Sequence, residues 1–136
     1  MDSRIIKSWI RFVEPNIYNT DKVVILGFGT GQHIIEFQER FPNIEVIVVD
    51  PRKIKMEEIV IQPFSSFQYV STFEGVLKLQ ASLKYSSLPI PILDFRPCWN
   101  PYKAFFVWTE AILKGAVDLQ EWHNSPSEFI MESLFI

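Results

Sequence analysis

The sequence predicts an α/β fold, three layers in the order α-β-α around a parallel sheet of about four strands. Two observations carry that expectation. Val23-Val24-Ile25-Leu26 and Val46-Ile47-Val48-Val49 are unbroken apolar runs, whereas a strand with one wet face would alternate; continuity suits parallel strands covered on both sides. Between them stand three glycines at alternate positions, Gly27, Gly29 and Gly31, then a helical pattern, and the second run ends in Asp50. The order is strand, glycine turn, helix, strand.

The remaining elements follow in chain order. Ser3 is placed to cap a first helix with Ile5, Ile6, Trp9, Ile10 and Val13 along one face and Arg4, Lys7 and Arg11 on the other. Such a helix covers the sheet or, being basic and amphipathic, meets a membrane or a partner. Glu14-Pro15-Asn16 ends it, and Asn19-Thr20-Asp21 leads into the first strand. The helix after the glycines carries Ile34, Phe37 and Phe41 as its inner stripe. Beyond Asp50, Pro51-Arg52-Lys53-Ile54-Lys55 is a basic turn, either solvated or set against a phosphate or carboxylate. Glu58 to Gln62, bounded by Pro63, reads as the third strand.

Ser71-Thr72-Phe73-Glu74 matches a capping box, with Ser71 as N-cap of a helix whose inner face holds Phe73, Val76, Leu77 and Leu83. The fourth strand, within Leu88 to Phe95, contains Pro89 and Pro91; it therefore lies at a sheet edge or starts after Pro91. Asn100-Pro101 opens a helix with Phe105, Trp108, Ile112, Ala116 and Leu119 at helical spacing and Gly115 as a weak point. Ser125-Pro126-Ser127-Glu128 starts a short last helix rich in Phe129, Ile130, Met131, Leu134 and Phe135.

The glycine turn carries the chemistry. Glycine lets the backbone take positive φ and approach a ligand where a Cβ would collide. The N-terminus of the following helix offers unsatisfied N–H groups and partial positive charge. Asp50, about 20 residues on, can accept hydrogen bonds from a ribose diol. The candidate binding residues are thus Gly27, Phe28, Gly29, Thr30, Gly31 and Asp50. The dinucleotide pattern would put its last glycine at position 32, which is Gln32. A turn that merely joins strand to helix is the other reading.

Leu26-Gly27-Phe28-Gly29-Thr30-Gly31 resembles the first motif of class I S-adenosylmethionine-dependent methyltransferases, and Val48-Val49-Asp50 their ribose-binding acidic motif. The resemblance implies a Rossmann-like domain and S-adenosylmethionine as the cofactor. Ile25 stands where those enzymes usually carry an acid, and about four strands are fewer than their seven, so the domain is truncated relative to a full methyltransferase.

The stretch from Val23 to Pro51, with Gln32-His33-Ile34 opening the helix and Phe41-Pro42 closing it, is also similar to the N-terminal domain of the bacterial motility accessory factor family. So is Pro91-Ile92-Leu93-Asp94-Phe95-Arg96-Pro97 with Asn100-Pro101-Tyr102. That family is linked to flagellin glycosylation. The matched residues do not include its sugar-transferring domain, so no transferase activity follows.

The 136 residues suit one domain, and 48% hydrophobic content excludes a disordered chain. A net charge of −3 argues against nucleic acid as a partner. Cys98 is the one cysteine, which excludes an internal disulfide framework and a thiol-based zinc site. No run of 18 apolar residues and no signal-peptide pattern are present, so no transmembrane segment is expected and the location expected is cytoplasmic.

No catalytic set can be assembled. His33 and His123 lack acidic or hydroxyl partners at a recognisable spacing, Cys98 has no paired histidine, and Asn100-Pro101-Tyr102 is one proline short of an amino-methyltransferase acceptor motif. No metal site is expected. An unpaired sheet edge and the apolar Phe129 to Ile136 predict self-association or burial in a larger protein assembly. Two functions stay open: a non-catalytic or degenerate methyltransferase-like module that binds a nucleotide or S-adenosylmethionine or serves protein interaction, and a small S-adenosylmethionine-dependent methyltransferase.

Overall fold

A computed structural model of the chain describes residues 3–52, 67–95 and 102–115. Four strands are defined there: β1 (Lys22–Leu26), β2 (Glu45–Val49), β3 (Gln68–Val70) and β4 (Ile92–Asp94). They form one sheet in the order β3-β2-β1-β4, every pair parallel. The strand order reverses direction between β1 and β4, the place where open α/β sheets leave a crevice at their carboxyl ends. The chain is therefore a Rossmann-like α/β fold with a four-stranded sheet among the described residues.

Helices α1 (Ser3–Val13) and α2 (Gln32–Arg40) cover one face, and α3 (Phe73–Leu83) and α4 (Lys103–Leu113) the other. The continuous apolar runs explain this. Val23, Ile25, Val46 and Val48 point to Val13, Ile34 and Phe37, while Val24, Leu26, Ile47 and Val49 point to Val76, Leu79, Phe105 and Trp108. All eight strand residues are buried, so each sheet face contributes a core, and each fully buried Val or Ile stabilises by roughly 1.5–3 kcal/mol.

Several expectations need correction. The third described strand is Gln68–Val70; Glu58 to Gln62 lies outside the described residues. At α3 the N-cap is Thr72, whose side chain accepts from the Gly75 N–H at 3.0 Å. Ser71 is one position early, because it still belongs to the exit from β3. Helix α4 starts at Lys103 with Tyr102 at its N-cap, and ends at Leu113, with Gly115 just beyond in the left-handed region at φ +73°. The helix expected to run to Leu119 thus stops at Leu113 within the described residues, since a glycine in this conformation closes a helix C-terminus. Asn100, Pro101, Ala116, Leu119 and the expected last helix lie outside the described residues.

The edge strand β4 begins after Pro91, as its prolines require: Pro91 lends its carbonyl to Val24 N–H at 3.0 Å. On α1, Ile6, Ile10 and Val13 are buried, but Ile5 is 56% exposed. Ile5 sits one residue, about 100°, round from the buried stripe, and the helix turns it outward. Trp9, one turn on from Ile5 on the same flank, donates its Nε1–H to the Asp94 carbonyl at 2.9 Å.

Candidate functional site

The glycine turn and Asp50 meet at the carboxyl ends of β1 and β2. Gly27, Gly29 and Gly31 all take positive φ, +98°, +55° and +85°, the conformations expected of them. Gly27 N–H donates to Val49 O at 2.9 Å, which ties the start of the turn to the end of β2. Gly31 caps α2 without a side-chain hydrogen bond. Gly29 and Thr30 are exposed, whereas Phe28 and Gly31 are buried. The six candidate residues are thus brought together.

Their contacts are made largely with one another and with near neighbours. Asp50 is 3% exposed, and both of its carboxylate oxygens are occupied. Oδ2 accepts from the Phe28 N–H at 2.9 Å and from Arg52 Nη2 at 3.1 Å. Oδ1 accepts from the Arg52 N–H at 2.9 Å and from Arg52 Nε at 3.1 Å. Arg52 Nη2 also donates to Gly29 O at 3.2 Å, so the guanidinium straps the glycine turn to the end of β2. This bond to Asp50, with the nearby negative charge, raises the Arg52 pKa against the opposing effect of burial.

Tyr69 from β3 donates its hydroxyl to the Arg52 carbonyl. Burial, above all, pushes its phenol upward, so it stays protonated and remains a donor. The Phe28 ring turns inward against Phe67 and Tyr69, with centroids 5.9 Å and 5.7 Å away. It also fills the space over Gly31, where a Cβ would meet Phe28 Cζ at 2.8 Å. Gly31 is needed by the chain's own aromatic ring, independently of any ligand.

His33 is 1% exposed and has its Nε2 2.9 Å from Gly27 O. A carbonyl only accepts, so Nε2 carries the proton. Burial lowers the pKa of this ring to about 4, outweighing the Gly27 bond and the Asp50 charge that would raise it. The ring stacks on Phe95 at 3.8 Å, and Trp9 meets both rings edge-on. His33 is therefore a neutral bracing residue under the turn. Burial works against a role as base, because it disfavours the protonated ring that such a role must form.

Sequence reasoning placed Arg52 in a basic turn that could meet a carboxylate; the carboxylate is the chain's own Asp50. Tyr69, Trp9, Phe67 and Phe95 were not foreseen at the site. They reach it from separate elements, and no local spacing announces that. Ile25, in place of the expected acid, is fully buried in the apolar layer with Ile34 and Phe37. His123, Cys98 and Asn100-Pro101 lie outside the described residues. Among the described residues no cluster of three His, Cys, Asp or Glu side chains could hold a metal ion, and no helix is long and apolar enough to cross a membrane.

A cavity of about 580 Å³ lies away from the turn, between α3 and the amino-terminal side of the sheet, with Lys22, Gln68, Lys78 and Tyr85 among its lining. Strand order and the glycine turn argue for the carboxyl-end site instead, since that is where a parallel sheet gathers helix N-termini and loop amides. Compared with protein-family models the chain matches none, and among curated proteins no similar sequence is found.

Proposed function

We propose that the chain is a degenerate, methyltransferase-like Rossmann module, non-catalytic, whose scaffold serves protein interaction with the nucleotide position closed by its own side chains. One observation carries the reading. The carboxylate that would hold a ribose, Asp50, has both oxygens engaged by Phe28 N–H and Arg52. The inward Phe28 ring and the neutral, committed His33 agree with it. The link to motility and flagellin glycosylation rests on the sequence resemblance of Val23 to Pro51 alone.

The geometry also favours a second reading in one respect: all three glycines keep the positive φ of a binding turn, and Gly29 and Thr30 face outward. A small S-adenosylmethionine-dependent methyltransferase would then need Arg52 to swing off Asp50 on binding. Calorimetric titration with S-adenosylmethionine and S-adenosylhomocysteine separates the two, using the native chain, Arg52→Ala and Asp50→Ala. The non-catalytic reading expects no heat from the folded native chain. Micromolar binding by the native chain that Asp50→Ala abolishes would overturn it in favour of the enzyme. Binding that appears only in Arg52→Ala would show a cradle preserved but blocked.

A further inference from the structure

We draw no further inference here: the strongest candidate, the cavity of about 580 Å³ between α3 and the amino-terminal side of the sheet, has its two lysines, Lys22 and Lys78, paired with the chain's own Glu45 and Glu74 and its Tyr85 exposed at the rim, and nothing in the structure shows what would fill it.

Discussion

Lowering the pH from 8 to 5 should destabilise the fold through His33 in particular. The imidazole is neutral in the folded chain and held there by burial, its pKa lowered from 6.5 to about 4. In the unfolded chain it titrates near 6.5. Between these values the unfolded state binds a proton that the folded state refuses, so stability falls as pH drops through 6.5 and stops falling below about 4. The full difference amounts to about 3 kcal/mol, at 1.36 kcal/mol for each tenfold change in proton affinity. About 2 kcal/mol of it is lost by pH 5.

That is a large share of the 5–15 kcal/mol typical of a domain. Urea denaturation of the native chain and His33→Gln, each at pH 8, 6.5 and 5, would measure it. Glutamine keeps a donor that can reach Gly27 O but has no proton to gain. The native chain should lose about 2 kcal/mol more than the variant between pH 8 and 5. Equal losses would refute the assignment of His33 as a buried neutral brace, because carboxylates titrating in this range are common to both proteins.

Asp50→Ala should cost about 2–4 kcal/mol in the same denaturation assay, since it strands the Phe28 N–H and leaves Arg52 without its partner. The figure sits below that for a fully buried pair because the Arg52 side chain is 42% exposed and can turn to water. Gly31→Ala and Gly115→Ala make a matched comparison. Both residues have positive φ, but a Cβ at Gly31 would strike the Phe28 ring at 2.8 Å while one at Gly115 meets nothing within 4 Å. Gly115→Ala should cost about 1 kcal/mol for backbone strain alone, and Gly31→Ala at least 2 kcal/mol more; equal costs would show that Phe28 does not fill the turn.

How much was legible in the sequence depended on how local each signal was. The strands β1 and β2 could be read because both of their faces are buried, which turns them into unbroken apolar runs. Strand β3 could not: Gln68-Tyr69-Val70 has one buried residue in three, and no pattern marks so short a segment. Ile5 lies outside the inner face because it sits about 100° from Ile6 on a helix whose buried stripe is narrow, and periodicity alone does not choose between two adjacent isoleucines. The six residues of the candidate site were readable from glycine spacing and the strand-end acid. The partners that decide its state were not. Asp50 is engaged by a side chain two residues away whose direction depends on Gly29 O, and Phe28 turns inward because Phe67 and Tyr69 from the far edge give it a surface.

Those partners set the terms on which any ligand could enter. For a ribose diol to reach Asp50, Arg52 must release two side-chain bonds to the carboxylate and one to Gly29 O. Charge-assisted hydrogen bonds are worth about 1.5–3 kcal/mol each. The ribose replaces only part of that, since its hydroxyls are neutral donors, and water takes up the freed guanidinium at this half-exposed position. A net opposing term of about 2–3 kcal/mol weakens a ligand by roughly 30- to 150-fold, enough to carry a micromolar site well towards millimolar. The same three bonds, in the absence of ligand, hold the glycine turn against the end of β2 and contribute to the rigidity of the carboxyl face. The strap thus works against binding and in favour of a fixed surface, which is the combination expected of a scaffold kept for contacts.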